Sequence, residues 1–298
     1  MDEIPYKYNS ISPNVHLTMT KGLIKTLNKI AKEGCLKMVF TRFPYYNTKL
    51  QCKHLALTYN EGNCVAFAYY MKHLLSKHDI KGYIVGSKPP PKFSRDGYKE
   101  ISHAAVIVPY EKGFVLFDTS FYFNKAIILD NIENYEVSHN FTNVYSKIKD
   151  KWTFIVMNDK IVVKINDTFV NSYYQLKELM NPQKSITIHT NNADRVVFRC
   201  EIDRDFVSKL YYKINLYDNT LSVTSKHQEY VREYLSHFID LNKLDKKKLK
   251  TWIYNLNLNK GQKHKMFTDV SIFLLYQDIS KTETNRLMTF FKGQISRI

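Results

Sequence analysis

Apolar residues in the first part of the chain recur at the spacing of a helix. In LTMTKGLIKTLNKIAKEG (17–34) Leu23, Ile24, Leu27 and Ile30 fall on one stripe, and Gly34 is placed to end the helix. The stretch TYNEGNCVAFAYYMKHLL (58–75) repeats the pattern: Phe67, Ala68, Met71, Leu74 and Leu75 follow a polar loop, and Asn63 is suited to cap a helix opening at Cys64. From residue 81 the period changes. The runs GYIVGS, HAAVIVP, GFVLFD, WTFIVM, KIVVKI, SITIHT and RVVFRC, separated by Gly, Pro, Asn and Asp, predict strands. YYKINLYDNTLSVT then predicts a hairpin, and HQEYVREYLSHFI, KKLKTWIYNLNL and MFTDVSIFLLYQDI predict helices. The pattern divides the chain into a helical region (1–80), a β-rich region (81–200) and an α/β region (201–298). The fold class is α+β, with a central antiparallel β-barrel or sheet. SKPPPKFSRDGYKE (87–100) is the clearest loop and joins two of the strands.

Composition changes this picture little. At 298 residues the chain exceeds the usual single-domain size, so two or three packed units sharing a core are expected. No apolar run approaches the roughly 20 residues needed to cross a bilayer. MDEIPYKYNS lacks the features of a signal peptide, so a cytoplasmic protein with no membrane partner is expected. Cys35, Cys52, Cys64 and Cys200 show no CxxC pairing and are expected to be reduced. The net charge of +16 raises the prospect of an anionic partner. Yet the lysines are spread along the chain. In the one dense run, LNKLDKKKLK (241–250), Leu244 and Leu249 are expected to face inward and the lysines to line a solvated helix face, so nucleic acid is not the favoured partner.

Candidate chemistry centres on Cys64. In the first turn of a helix its thiol would sit in the positive end of the helix dipole, which favours thiolate, although a free cysteine is also a common buried hydrophobe. The segment ISHAAVIVPYEKGFVLFDTSF (101–121) bears on the choice. It reads as a hairpin around the four-residue loop PYEK, with Val108 opposite Gly113 and His103 therefore directly across from Asp118. Taken singly, His103 could be a core histidine and Asp118 a turn former. Together, downstream of a helix-opening cysteine, they make a nucleophile, a base and an orienting carboxylate. His54, His73 and His78 read as surface or core histidines; no metal-ligand spacing or Gly-rich phosphate loop is present, and no residue can be assigned to cofactor binding.

A cysteine opening a helix, a histidine on a strand 39 residues later and an aspartate ending the next strand 15 residues beyond resemble the transglutaminase-like superfamily of Cys-His-Asp enzymes. GNCVAFAYYMKHLL, SHAAVIV and GFVLFDTSF carry the likeness. Within the superfamily the chain is most similar to arylamine N-acetyltransferases, in length, in the triad's place in the chain and in TRFPYYNTKL (41–50) ahead of the nucleophile. The resemblance covers residues 40–130. It implies a helical region, a β-barrel and an α/β lid, with Cys64, His103 and Asp118 as catalytic residues. It also implies acetyl-CoA or another acyl-CoA as co-substrate, no tightly bound cofactor, and a small amine as acceptor, reached by a ping-pong route through a cysteine thioester. One stretch departs from the pattern: the acetyltransferases carry Arg-Gly-Gly before the cysteine, and this chain has Asn60-Glu61-Gly62-Asn63, which points to a different acceptor preference. A thiol amidohydrolase or peptidase using the same triad is the alternative enzyme, and a basic nucleic-acid-binding protein the non-enzymatic one. The sequence is silent on oligomeric state.

Overall fold

The computed structural model describes residues 11, 17–46, 51–94, 98–144, 148–186, 196–226, 234–241 and 245–275. The chain opens with α1 (Lys21–Lys37), β1 (Val39–Thr41), α2 (Cys52–His54, continuing as a π turn over Leu55–Tyr59), β2 (Glu61–Gly62) and α3 (Cys64–Ser76). Eight strands follow: β3 (Tyr83–Lys88), β4 (His103–Tyr110), β5 (Gly113–Phe117), β6 (Ile127–Asp130), β7 (Glu136–Thr142), β8 (Lys149–Met157), β9 (Lys160–Ile165) and β10 (Thr168–Glu178). After the short α4 (Pro182–Ile186) come β11 (Val196–Ile202), β12 (Ser208–Asn215), β13 (Thr220–Lys226), β14 (Tyr234–Asp240), α5 (Lys246–Asn255) and α6 (260–275).

β3–β10 form one antiparallel sheet in the order β6-β5-β4-β3-β10-β9-β8-β7, and its edge strands β6 and β7 come together to leave a nearly closed barrel. Every residue of β4 and β5 is buried. Val85, Ala105, Ile107, Leu116 and Tyr174 point into the barrel, while Ile84, Val106, Val108, Val115 and Phe117 meet the helices outside. Burial on both faces is why HAAVIVP and GFVLF read as continuous apolar runs. α1 and α3 pack on that outer face, α1 capped by the Thr20 hydroxyl, which accepts from the Leu23 N–H at 3.1 Å.

The second sheet, β14-β13-β12-β11-β1-β2, joins strands from both ends of the described chain. β1 pairs antiparallel with β11 and parallel with β2, so a single short strand connects the start of α3 to the C-terminal hairpins. Tyr212, Ile214, Leu221 and Val223 on one face pack against Leu249 and Ile253 of α5 and Val270 and Phe273 of α6.

Three local expectations are revised. Gly34 does not end α1 but lies inside it, where a Cβ would stand 2.6 Å from Met71 Cε and 3.1 Å from Thr119 Cγ2; the glycine permits close crossing of α1, α3 and the turn after β5. Of the helix expected over HQEYVREYLSHFI, Tyr234–Asp240 is instead a strand paired with β13 through seven positions, and residues 227–233 lie outside the described residues. Cross-strand partners overrode local helix propensity, and the side-chain period is two: Ile239 joins the core while Phe238 is exposed. In SITIHT, Ser185 and Ile186 belong to α4, and the rest lies outside the described residues. The basic run behaves as expected in α5, with Leu249 buried and Lys246, Lys247, Lys248 and Lys250 exposed; Leu244 is outside the described residues.

Candidate active site

Cys64 is the first residue of α3 because Asn63 caps the helix: its Oδ1 accepts from the N–H groups of Val65 at 3.0 Å and Ala66 at 3.3 Å. The same oxygen lies 3.6 Å from the Cys52 sulfur. Burial of Val65, Phe67, Met71, Leu74 and Leu75 fixes the helix on the barrel, leaving the Cys64 thiol at its N-terminal end with 7% exposure.

His103 opens β4 and Asp118 follows β5, where it caps the 3₁₀ turn Thr119–Phe121. The register differs from the one read off the sequence. Tyr110, not Val108, pairs with Gly113, leaving the two-residue loop Glu111–Lys112, so Asp118 is the diagonal rather than the direct neighbour of His103. The slip is two residues. Because side chains alternate with a period of two, the pair still shares the barrel-interior face, and His103 Nε2 stands 2.7 Å from Asp118 Oδ2.

The Cys64 side chain neighbours the His103 ring. Burial pulls the imidazole pKa down, but the Asp118 charge and hydrogen bond, with that of Cys64, outweigh it and hold the group up at about 10. Asp118 is buried with four donors around its carboxylate. His103 Nε2 and the Tyr174 hydroxyl, at 2.8 Å, serve Oδ2; the Ser120 hydroxyl, at 2.9 Å, and the Phe121 N–H, at 3.3 Å, serve Oδ1. Burial and the neighbouring Asp118 charge raise the Tyr174 pKa well above the ordinary tyrosine value, which keeps its hydroxyl a neutral donor. The Phe121 ring stacks on His103 with centroids 4.3 Å apart.

All three residues singled out in the sequence thus meet. Sequence reasoning missed Tyr174, Ser120 and Phe121. The last two lie in the DTSF segment, where a hydroxyl two residues after Asp118 was a usable signal. Tyr174 gave none, because β10 reaches the site only through barrel pairing with β3, Tyr174 facing Ser87 and Ser87 facing His103. Cys35 and Cys200 are buried thiols with other partners. Cys35 donates to the Phe123 carbonyl at 3.4 Å, and burial drives its pKa well up; burial likewise pushes the Cys200 thiol up to about 12.

No protein-family model matches the chain, and no curated protein sequence matches it. Solved structures do. The (BACCR)NAT3 arylamine N-acetyltransferase of Bacillus cereus superposes with a TM-score of 0.51 at 10% identity, covering 83% of this chain and 91% of that one. Arylamine N-acetyltransferase C of Bacillus anthracis gives 0.51 at 10% identity, covering 76% of this chain and 88% of that one. The fold is that of the arylamine N-acetyltransferases. The B. cereus protein is described as having a unique Cys-His-Glu catalytic triad; here the carboxylate beside His103 is that of Asp118. Among the described residues no group of three or more His, Cys, Asp or Glu side chains is arranged to hold a metal ion, and no helix is long and apolar enough to cross a membrane.

Proposed function

We propose that the chain is a cysteine acyltransferase that moves an acetyl or other acyl group from an acyl-CoA to a small amine, with Cys64 as nucleophile, His103 as base and Asp118 as orienting carboxylate. The observation that carries this reading is the buried arrangement itself: a helix-opening thiol beside an imidazole whose Nε2 lies 2.7 Å from a carboxylate. Asp118 accepts the Nε2–H and so fixes the tautomer, leaving Nδ1 for the thiol proton. The thiolate attacks the acyl carbonyl of the donor, and backbone N–H groups at the start of α3, that of Cys64 among them, meet the developing oxyanion. Collapse of the tetrahedral adduct breaks the bond to the CoA sulfur. That sulfur leaves with the proton carried by His103, and a Cys64 thioester remains. The amine then attacks the thioester, His103 takes a proton from the nitrogen, and the amide departs as Cys64 recovers its proton. Water in place of the amine would make the same machinery a hydrolase.

Intact-mass measurement after incubation with a panel of acyl-CoAs and no acceptor tests the reading. Wild type should gain one acyl group, Cys64→Ala none, and addition of amines should discharge the thioester. An unmodified mass with every donor, alongside Cys64-dependent cleavage of amide or peptide substrates, would replace the transferase with a thiol amidohydrolase.

A further inference from the structure

Each residue from 60 to 63, immediately before the nucleophile, is held by a different contact. Asn60 ends the π turn in the left-handed region at φ 53°, and its carbonyl accepts from the Val39 N–H at 2.9 Å. Gly62 sits at φ 145°, a conformation few other residues adopt, while pairing with Phe40. Asn63 caps α3. Between them Glu61 is anchored through its side chain. Its Oε2 accepts from Arg199 Nη1 at 2.6 Å and its Oε1 from Lys265 Nζ at 3.2 Å, with Glu61 only 7% exposed.

The anchor is itself held from behind. Arg199, on β11, also donates through Nε to Glu201 at 3.2 Å, and its Nη1 is 3.9 Å from Asp269 of α6. Asp269 pairs with Lys265 at 3.1 Å and accepts from the Tyr212 hydroxyl at 2.7 Å. One buried charge cluster therefore ties the strand three residues before Cys64 to β11, β12 and α6. Burying such a cluster is expensive, and apolar side chains of similar volume would give equal or better cohesion, so stability alone accounts for it poorly. Its members are not among the hydrogen-bond partners of His103 or Asp118, yet they fix the direction in which the chain enters the first turn of α3.

We propose that Glu61 and Arg199 are a positioning pair that aims the Cys64 thiol at His103, with Lys265 as the solvent-facing second clamp on Glu61. This rests on the catalytic reading of the triad. Displacing α3 by a fraction of a turn would change the separation of thiol and imidazole, and a misplacement of about 1 Å at a reacting group costs on the order of 100-fold in rate.

The test is the pH profile of Cys64 alkylation by iodoacetamide, followed by peptide mass, which needs no acyl donor. Glu61→Gln keeps the shape of the side chain and removes its charge. It should remain folded by circular dichroism, alkylate at pH 7 roughly 10- to 100-fold more slowly than wild type, and show a pH profile displaced from that of wild type. Lys265→Met, at a partly exposed position, should give a smaller change of the same sign. In single-turnover acylation both variants should lower the acylation rate while leaving donor KM near that of wild type. A folded Glu61→Gln with the wild-type alkylation rate and profile would overturn the proposal and reduce the pair to a stabilising contact. Should Glu61→Gln fail to fold, Lys265→Met decides: a shifted profile supports the positioning role and an unchanged one overturns it. Wild type that alkylates like His103→Ala would instead overturn the triad, and wild type that alkylates normally but accepts no acyl group would overturn only the transferase reading.

Discussion

Asp118 is surrounded by donors that can be removed one at a time. Tyr174→Phe deletes a single hydroxyl bonded to a buried carboxylate, an interaction worth about 1.5–3 kcal/mol. If that energy orients the His103–Asp118 pair, acylation of Cys64 should slow by about 10-fold or more, since 1.4 kcal/mol is a factor of ten. Asp118→Asn should be slower still, because an amide can hold the wrong imidazole tautomer and cannot stabilise the imidazolium. Single-turnover mass kinetics beside a thermal melt would separate this from a loss of folded protein, and an undiminished rate in Tyr174→Phe would remove the tyrosine from the site. The thiols make a second contrast. Brief iodoacetamide treatment at pH 7 should label Cys64 before Cys35 or Cys200, whose pKa values burial raises; peptide mapping showing either of those first would contradict an activated Cys64. Cys64, His103 and Asp118 were legible in the sequence because each sits at the end of a local element whose pattern is plain. Tyr174 was not, because NSYYQLKE is polar enough to pass for a loop and its place beside the triad depends on a pairing 56 residues distant from Asp118.

At the scale of elements, the hairpin β4–β5 shows why a register error can still bring the expected two side chains together. The two-residue slip kept parity, and parity decides which face a side chain takes; a slip of one would have sent His103 and Asp118 to opposite faces. Helix propensity proved the weaker guide in the C-terminal region, where β13 captured Tyr234–Asp240 as a strand. The Asn63 cap was read correctly, and it lends itself to a quantitative check. Asn63 satisfies two N–H groups at the start of α3, so Asn63→Ala should cost about 1 kcal/mol, in the range 0.5–2, of unfolding free energy. Asn63→Ser should recover most of it. Urea titration reads the stability. Iodoacetamide labelling should show a slower Cys64 in the alanine variant, and equal stability of the two variants would show that the cap is unimportant here.

For the whole molecule, the raised His103 pKa makes a statement about stability against pH. Its folded value is about 10, above the ordinary value of 6.5 that the unfolded chain should show. The protonated form is thus favoured by folding, and the stability it contributes is fully present below about pH 6.5 and lost as the pH rises through 10. Urea midpoints of wild type and His103→Gln should therefore differ most near pH 6 and converge toward pH 10; a constant gap would mean that the imidazolium–carboxylate pair adds nothing to folding. The barrel was foreseeable from the strand runs of the middle region, but the second sheet was not, since β1 and β2 are three and two residues long and are strands only because β1 pairs with β11 and β2 with β1. That arrangement has a consequence for biosynthesis. The residues that present the thiol leave the ribosome early, while the strand and helix that hold them in place, β11 and α6, are made only after the barrel strands have emerged. A nascent chain can complete the barrel and bring His103 to Asp118 while the start of α3 still lacks its anchor. Reactivity at Cys64 should accordingly switch on late, when translation has passed α6, so that stalled or truncated chains carry a formed barrel and a dormant thiol.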